Sequence, residues 1–600
     1  MDSRTAAHVL SEIAAFLAFR ADNRFKARAY RNAAKAVLAL NSEDLTPLYR
    51  SGELAAVRGL GKATLGVLAD LIENGESTYL EQLRQQVPEG VMDLLRVPGL
   101  TPVRIQQIHE ALGVQTVDEL EAAARDGRLA KVRGFGEKTA ASLVDAIEFM
   151  HQTSALTLYP RAAVEAARLL DAARRHPDVI RAAIAGSVRR HNEVARNIDI
   201  VAGVGAAADP ASVAATFARA PGVANASVDG GSATIRYVDG TVLQLRCVRD
   251  DVFPVALWRA TGSGAHVEQM TAALASRGFS IDDDQVRDTH GERVPIADEP
   301  ALYSLLGLAC VPPEMREGTG ELAAAAGTLP RLVTASDVRG VLHCHSTYSD
   351  GHATIAELAD AARSYGWTYI GISDHSQSAF YAGGMRADDV ARQHDEIDAL
   401  NATLTGFRVL KGIEADILAN GHLDYDDDTL DRFDYVIGSI HSRFRMTESQ
   451  MTTRILTALD DPRLTILGHP TGRLLLTREP YPMDMEAVLQ KAAETGIALE
   501  LNADPKRLDL DWRYCRRAKE LGIPIEIGPD AHSTRGLDCV HVGVGIARKG
   551  WLEASDILNA RSADDVLAFA TARRERAYER WGGRMVQRST PPDTDADIPF

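Results

Sequence analysis

The stretch HCHSTYSDG, residues 343–351, places two histidines and an aspartate close together, directly after the apolar run GVL. An apolar run that ends in polar residues is typical of a buried strand that reaches the edge of a sheet. On such a strand His343 and His345 point to the same side, because side chains alternate with a period of two. Cys344 points to the opposite side, where we expect a small core residue. Whether the histidines and Asp350 form a site depends on what other strands place beside them.

The same pattern recurs along the C-terminal part of the chain. Strand-like segments alternate with segments of helical periodicity to about residue 575, which predicts a parallel barrel or sheet. The runs YIGISDH, VLKGIE, VIGSIH, ILGHP and IEIGPDAH all reach a histidine or a carboxylate, and the ends of parallel barrel strands converge on one face. The residues predicted to converge are His343, His345, Asp350, His375, Glu414, His441, His469, Asp530 and His532.

These nine residues are all imidazoles or carboxylates. This donor set suits Zn²⁺ or Mn²⁺ and contains no thiolate. A single histidine at a strand end is more often structural than functional, but that explanation does not account for nine such residues. The nine are therefore the predicted metal-binding and catalytic residues. Four basic residues in nearby loops are either phosphate contacts or solvated surface charges: Arg386, Arg473, Lys506 and Arg507.

This arrangement resembles the PHP (polymerase and histidinol phosphatase) phosphoesterase domain over about residues 335–575. The resemblance implies a distorted seven-stranded α/β barrel that holds three divalent metals, Mn²⁺ or Zn²⁺. One metal would be held by His343, His345, Glu414 and Asp530. Glu414 would bridge to a second metal, held also by His441 and His469. The third would be held by Asp350, His375 and His532.

The first 150 residues have helical periodicity and contain a weak repeat. VRGLGKAT begins at Val57, VPGLTPVR at Val97 and VRGFGEKT at Val132. The three glycine turns resemble helix-hairpin-helix motifs, in which backbone N–H groups at a helix N-terminus face a phosphate without reading sequence. The middle copy has threonine in place of the second glycine. The predicted DNA-binding residues are Gly59, Gly61, Gly99, Gly134 and Gly136.

With residues 155–315 added, the front of the chain resembles a family X DNA polymerase, and the whole chain resembles the bacterial form with a PHP tail. AYRNAAKAV, GSVRR, NIDIV, TGSGAH and LLGLACVPPEMREGTGE carry the resemblance, in the family's order. From 254 to 328 the pattern predicts helix with a few short turns. The predicted domains are a helix-hairpin-helix domain (1–84), a fingers-like domain with further such motifs (85–152), a nucleotidyltransferase-like palm (153–250), a helical thumb (251–320), a linker (321–335), the PHP barrel (336–578) and a disordered tail (579–600).

The polymerase site departs from the family pattern at its carboxylates. Two-metal nucleotidyl transfer needs several carboxylates to hold two Mg²⁺ ions. Asp199 remains, but Asn197 and Gln244 occupy the other two positions, and a neutral amide is a poor Mg²⁺ ligand. We therefore expect polymerase activity to be lost or severely weakened, with Asp199 forming hydrogen bonds. The opposing interpretation is that Glu193 or a backbone group replaces a missing ligand.

Other positions of the polymerase module either differ from the family pattern or keep it. The departures are His191 after GSVRR, Arg259-Ala260 before TGS, and Val267 after TGSGAH. Gly186, Ser187 and Arg190 keep positions that the resemblance assigns, together with Asp199, to a nucleotide or DNA phosphate.

The amino-acid composition further limits the class of protein and its expected location. The 600-residue chain is 45% hydrophobic, 25% charged and carries a net charge of −17, which excludes a simple basic DNA-coating protein. The first 62 residues carry +4, whereas residues 331–600 carry 31 basic and 42 acidic residues, and an acidic region suits metal binding. Five dispersed cysteines make a disulfide framework or a cysteine zinc site unexpected. With neither a secretion signal nor an apolar span, the expected location is the cytoplasm, without membrane contact.

The function predicted first is a metal-dependent DNA phosphoesterase. It would act as a 3′→5′ exonuclease, with cutting at abasic sites or trimming of blocked 3′ ends as further possibilities. Its partner would be gapped, nicked or 3′-ended duplex DNA, bound by a monomer during base excision or gap repair. The alternatives are a gap-filling polymerase that uses the barrel for proofreading, a small-molecule phosphatase of the histidinol phosphatase kind, and a non-enzymatic DNA scaffold.

Overall fold

The computed structural model describes residues 1, 3–19, 24–40, 44–84, 90–97, 99–237 and 240–580. It divides into two compact units, Met1–Ala155 and a larger unit that begins at Leu156. The predicted disordered tail lies, from residue 581 onward, outside the described residues. Across the described ranges, no helix combines the length and the apolar character that crossing a membrane requires.

The first unit is helical throughout its described part. Its helices pack on one core of alanine, leucine and other apolar side chains. They are α1 (Ser3–Phe19), α2 (Arg24–Ala39), α3 (Thr46–Ser51), α4 (Lys62–Asn74), α5 (Thr78–Arg84), α6 (Pro102–Leu112), α7 (Val117–Arg125) and α8 (Glu137–Thr153).

The second unit begins with a five-stranded sheet in the order β2-β4-β7-β6-β5, where only the β4–β7 pair is parallel. Helices α9 and α11 pack on it through a core of valine, isoleucine and alanine. The elements are β1 (Thr157–Leu158), α9 (Tyr159–Arg174), β2 (Val179–Ala185), α10 (Gly186–Arg189), β3 (Val194–Ala195), β4 (Ile198–Val204), α11 (Pro210–Phe217), β5 (Val223–Asp229), β6 (Ser232–Tyr237) and β7 (Val242–Arg249).

The thumb-like region that follows differs from its prediction of helix and turns. It contains α12 (Phe253–Thr261), α13 (Gly264–Ser276), β8 (Ser280–Asp282), β9 (Gln285–Arg287), β10 (Arg293–Val294), α14 (Glu299–Ser304) and α15 (Glu321–Ala324). The three strands form an antiparallel sheet. Each spans two or three residues, too few to reveal a period of two in the sequence. In the segment predicted as a linker, Ala324, Ala325 and Leu332 are buried in the core of this region.

The remainder forms a seven-stranded parallel barrel in sequence order from β11 to β17. Pairing of Cys344 with Ala531 brings the chain after the first strand beside the chain after the last. The elements are β11 (Gly340–Val341), α16 (Ile355–Ser364), β12 (Tyr369–Ile372), α17 (Ala387–Asn401), β13 (Arg408–Asp416), α18 (Asp427–Leu430), β14 (Tyr435–Ser439), α19 (Glu448–Leu459), β15 (Ile466–Leu467), α20 (Met485–Thr495), β16 (Ala498–Asn502), α21 (Trp512–Glu520), β17 (Ile525–Gly528), α22 (Cys539–Lys549) and α23 (Ala563–Arg580).

The barrel interior is filled by side chains rather than by solvent. Tyr435 is fully buried, and its hydroxyl donates to the Leu342 carbonyl. A Cβ at Gly371 or Gly412 would lie 2.1 or 2.2 Å from the Tyr435 side chain, so only glycine leaves space for this ring. Val566 of the last helix packs into the same core. The predicted fold class, with a helical front, a thumb and a seven-stranded parallel barrel, is confirmed.

Candidate functional site

The predicted metal-binding residues converge at one end of the barrel, around the carboxylate of Glu414 at the end of β13. Glu414 Oε1 lies 3.0 Å from Nε2 of His469, and Oε2 lies 2.9 Å from Nδ1 of His375. Nε2 of His441 and Nε2 of His343 lie 3.3 and 3.4 Å from Oε1. His345 is the fifth imidazole around Glu414, with its Nε2 3.7 Å from Oε2. One carboxylate thus faces five imidazoles.

The other predicted acids extend the cluster on one side. Asp350 Oδ1 lies 3.3 Å from Nε2 of His532, and Asp530 Oδ1 lies 3.2 Å from Nε2 of His345. By distance the ligand atoms form three groups, each within 4.8 Å: His345, Asp350, His375 and His532; His343, His345 and Asp530; and His375, Glu414 and His441. His345 and His375 each belong to two groups, so these distances divide the residues differently from the partition that the family resemblance implies.

Several of the predicted ligand atoms are buried without a hydrogen-bond partner in the described part of the chain. Nε2 of His343, both ring nitrogens of His345, Nδ1 of His375 and Oε2 of Glu414 have no hydrogen-bond partner among the described residues. Leaving such atoms unpaired in a protein interior costs about 1–3 kcal/mol each, and more for charged groups. Divalent cations would satisfy these donors together, and an all-imidazole and carboxylate set fits Zn²⁺ or Mn²⁺. The residues present therefore fit bound metal ions.

The protonation states of two imidazoles and of the central carboxylate favour ligation, whereas that of His441 opposes it. Burial lowers the pKa of His345 and of His469 to about 3, so both rings are neutral electron-pair donors. Burial opposes ionisation of Glu414, but the imidazoles of His441 and His343 outweigh it and hold the pKa of Glu414 well below its usual range. For His441, burial is outweighed by Glu414 and Asp416, which raise its pKa to about 10. The His441 ring must therefore release a proton when it binds a metal.

Two of the nine residues have a backbone conformation that is unusual for their type. His469 has φ 24° and Asp530 has φ 49°, both in the left-handed region that favours glycine. Such strain costs of the order of 1–3 kcal/mol per residue and persists where surrounding structure imposes it, often at functional sites. At His469 the backbone N–H donates to Glu500 Oε2 at 2.6 Å, which is one of the contacts that hold it.

Three supporting side chains were not predicted from the sequence. Glu500 on β16 accepts from His343 Nδ1 at 2.6 Å, and Asp416 on β13 accepts from His441 Nδ1 at 2.7 Å. Each carboxylate fixes the ring so that Nε2 points into the cluster. Asn502 donates to Asp530 Oδ2 at 3.1 Å. The available signal was spacing by two for Asp416, which follows Glu414 on the same strand, and strand-like sequence for Glu500, which lies in the run IALELNA, to which no ligand was assigned.

The four basic residues in nearby loops have different surroundings. Arg507 Nε lies 3.5 Å from Asp530 Oδ2, so its positive charge is at the edge of the cluster. Arg473 is buried and donates to Asp511 at 2.6 Å, which makes it neither a solvated charge nor a free phosphate contact. Arg386 and Lys506 are exposed.

The predicted polymerase residues meet on the palm sheet. Asp199 on β4 is paired in register with Gln244 on β7, and Asn197 lies directly before the start of β4. A Cβ at Gly186 would lie 1.9 Å from Asp199 Oδ2, so glycine permits this close approach. Burial raises the pKa of Asp199 to about 6. The three positions are therefore adjacent, but only one carries a carboxylate.

The loop after α10 packs against the thumb-like region and against α22 of the barrel. Arg190 donates to Glu317 at 2.9 Å and to the Thr261 carbonyl at 2.6 Å. Lys549 of α22, 1% exposed, contacts the same Glu317 and donates to Asn192 at 2.9 Å. The Arg190 side chain is thus engaged within the protein.

The neighbours of Arg190 in this loop also face the barrel. A Cβ at Gly545 would lie 2.1 Å from His191, so α22 packs tightly on the histidine that departs from the family pattern. Glu193 Oε1 lies 3.5 Å from Arg473 and 3.6 Å from Arg513. The Glu193 carboxylate is therefore held in ion pairs with barrel residues.

The three glycine turns of the first unit have one geometry. Gly59, Gly99 and Gly134 have φ values of 103°, 84° and 91°, and in each turn the next residue donates to the carbonyl three positions earlier at 3.0–3.2 Å. A helix follows each turn: α4, α6 and α8. A Cβ built at Gly61 or at Gly136 would have none of the surrounding described atoms within 4 Å. A ligand can therefore approach the backbone closely at these two helix starts.

Comparison with known proteins matches four segments of the chain to family models. Residues 1–77 match the helix-hairpin-helix domain, 91–148 the SAM-like helix-hairpin-helix tandem, 256–317 the DNA polymerase beta thumb and 342–504 the PHP domain. The chain is 35% identical to the DNA polymerase/3'-5' exonuclease PolX of Bacillus subtilis over 573 residues, 95% of this chain and 99% of the relative.

The barrel alone has shorter relatives. A probable phosphatase of Syntrophotalea carbinolica is 33% identical over 207 residues, which is 32% of this chain and 79% of that protein. A probable phosphatase of Clostridium acetobutylicum is 31% identical over 208 residues, again 32% of this chain and 78% of that protein.

Proposed function

The chain belongs to the family X DNA polymerases that carry a C-terminal PHP domain, and on that premise we propose that it is a metal-dependent DNA phosphoesterase that shortens DNA from the 3′ end. The observation that carries the proposal is the cluster of nine imidazole and carboxylate side chains centred on Glu414, in which several buried ligand atoms have no hydrogen-bond partner among the described residues. A phosphodiester is an anion that resists attack by water, and this donor set suits the cations that assist such attack. The 3′→5′ polarity is inferred from the activity named for the Bacillus subtilis relative.

The residues of the cluster have separable roles in this proposal. Divalent cations held by the nine side chains, three of Mn²⁺ or Zn²⁺, would supply an activated water and charge neutralisation at the phosphate. Glu414 lies at the centre of the ligand set. Glu500 and Asp416 hold the rings of His343 and His441 with Nε2 directed inward. Arg507 directs its positive charge towards the same end of the barrel.

We propose that the front of the chain binds the DNA that the barrel cuts. The three helix starts after Gly59, Gly99 and Gly134 present backbone N–H groups, which suit phosphates of either strand without sequence preference. Gapped or nicked duplex is the proposed form of the DNA, and base excision or gap repair is the proposed process.

We propose that the palm no longer polymerises, or does so weakly. Asn197 and Gln244 offer one neutral oxygen each beside Asp199, and hard Mg²⁺ ions favour carboxylates. The Arg190 side chain is bonded to Glu317 and Thr261. Gly186, Ser187 and Asp199 then shape the palm and place DNA, without holding a triphosphate.

The test uses a gapped duplex labelled at the 5′ end of the primer, with Mn²⁺, with and without deoxynucleotides. Wild type is expected to shorten the primer, and His343→Ala/His345→Ala is expected to leave it intact. His541→Ala, which changes an exposed histidine of the same barrel, serves as the matched control. Primer extension on addition of deoxynucleotides would instead support the gap-filling polymerase.

An intact primer with wild type would contradict the exonuclease proposal. It would favour the small-molecule phosphatase if a phosphate monoester were hydrolysed instead, and the DNA scaffold if neither substrate were cut.

A further inference from the structure

A loop with two exposed aromatic side chains lies beside the metal-ligand cluster. Phe380 and Tyr381 are 59% and 51% exposed, unusual fractions for such large apolar groups. The ring of Tyr381 lies 6.4 Å from that of His375 and 6.5 Å from that of His441, measured between centroids. Phe380 contacts Tyr381 edge-on, with centroids 6.1 Å apart. The pair therefore forms an aromatic rim directly next to two predicted metal ligands.

The backbone under these rings is firmly held. Ala379 and Ala382, on either side of the pair, are buried. The Met385 N–H donates to the His375 carbonyl at 2.9 Å, which closes the loop on the metal ligand itself. A Cβ at Gly384 would lie 1.9 Å from the Ser376 carbonyl oxygen, so the two ends of the loop are in close contact. The exposed rings thus stand on an ordered support and lose little backbone entropy when they bind a ligand.

The position of the pair defines what it can bind if the proposed function holds. A scissile phosphate at the cluster leaves the base of the same nucleotide within reach of Tyr381. Bases are flat and uncharged, and they stack on aromatic side chains whatever their sequence. The acids around the cluster repel additional phosphate but do not repel a neutral base. The two rings therefore suit a nucleobase better than they suit the DNA backbone.

We propose that Phe380 and Tyr381 form a stacking platform for the unpaired bases at a 3′ end. This inference rests on the proposed nuclease function and names the substrate class within it. A base in a duplex already stacks on its neighbours, so a terminal nucleotide must leave that stack to reach the platform. The cost of leaving is least for a mismatched or single-stranded end. The platform therefore selects frayed or mismatched 3′ ends over paired ones.

The kinetic test compares Tyr381→Ala and Phe380→Ala with wild type on three primers: one with a mismatched 3′ end, one with a paired 3′ end, and one whose last two residues are abasic analogues. For each alanine variant we expect KM on the mismatched primer to rise by about 10-fold, with kcat nearly unchanged, because one stacking contact is lost. On the abasic primer the variants should equal wild type, since there is no base to stack. Tyr381→Phe keeps the ring and should match wild type. Tyr365→Ala, another exposed tyrosine of the barrel, is the matched control.

A binding test separates this inference from the nuclease proposal. A primer with 2-aminopurine at its unpaired 3′ end should lose fluorescence on binding metal-free wild type, and Tyr381→Ala should abolish that loss. Equal kinetic defects on the mismatched and abasic primers, or unchanged quenching in Tyr381→Ala, would overturn the platform even if wild type degrades DNA. If wild type degrades no DNA but quenches 2-aminopurine through Tyr381, the nuclease proposal fails and the platform stands. If the control Tyr365→Ala lowers quenching as much as Tyr381→Ala, the quenching is not specific to Phe380 and Tyr381. That result would also overturn the platform.

Discussion

Replacing Glu500 by glutamine should weaken metal binding without removing any ligand. Glu500 accepts two short hydrogen bonds, from the His343 ring and from the His469 backbone N–H, both at 2.6 Å. A glutamine offers one oxygen, so one of these donors loses its acceptor. Loss of one hydrogen bond to a charged group costs about 1.5–3 kcal/mol, and loss of a supporting carboxylate typically costs 10- to 100-fold in metal affinity. We expect Glu500→Gln to bind Mn²⁺ about 30-fold more weakly, which corresponds to about 2 kcal/mol.

The assay is calorimetric titration of Mn²⁺ into protein stripped with a chelator and then desalted. Glu520→Gln, which changes a 52% exposed glutamate on the outside of the same barrel, is the matched control and should bind Mn²⁺ like wild type. Thermal unfolding of the metal-free variants checks that both are folded. If Glu500→Gln remains folded and binds Mn²⁺ within about 3-fold of wild type, the Glu500 carboxylate does not strengthen metal binding by orienting the ligands.

Three further predictions concern the palm and the barrel core. The pKa of Asp199 is raised from 3.8 to about 6, so its ionisation destabilises the folded state as the pH rises through this window. In denaturant titrations, the free energy of unfolding of Asp199→Asn relative to wild type should therefore increase by about 2 kcal/mol from pH 4 to pH 7, and a constant difference would contradict this prediction. Lys549→Met should destabilise the protein by about 3 kcal/mol in the same assay, because it removes the buried cation of the ion pair with the partly buried Glu317. Lys491→Met, whose ion pair is more exposed, should cost at most about 1 kcal/mol. Gly371→Ala should cost about 1–3 kcal/mol by overpacking a buried tyrosine, and an unchanged melting temperature would show that the barrel core has space.

The barrel was predictable because its ligands follow apolar strands at their ends. Each strand and its terminal histidine or acid lie within a few residues of one another, so local sequence carries both the fold and the site. Asp416 is two residues beyond Glu414, and Glu500 occupies a predicted strand without a ligand. The same rule therefore points to both, although each orients a histidine ring and neither is among the nine predicted ligands.

Long-range contacts were beyond sequence reasoning. The short strands β8–β10 show no periodicity because each has only two or three residues. The engagement of Arg190 by Glu317, and of Glu317 by Lys549, joins residues more than a hundred positions apart. The local sequence GSVRR does not indicate that its second arginine, Arg190, forms hydrogen bonds with Glu317 and Thr261. The domain boundaries, the individual ligand roles and the DNA-binding glycines stay predictions.

In the proposed function, metal ions held around Glu414 enable the barrel to cut DNA. The measurement that tests it most directly adds Mn²⁺ stepwise to metal-free protein and records, in the same samples, the bound Mn²⁺ and the rate at which a 5′-labelled primer shortens. We predict that the rate rises with the bound metal and reaches a plateau when the cluster is full, and that Glu414→Gln neither fills the cluster nor shortens the primer. Primer shortening at the wild-type rate by a Glu414→Gln protein that holds no Mn²⁺ would contradict the account.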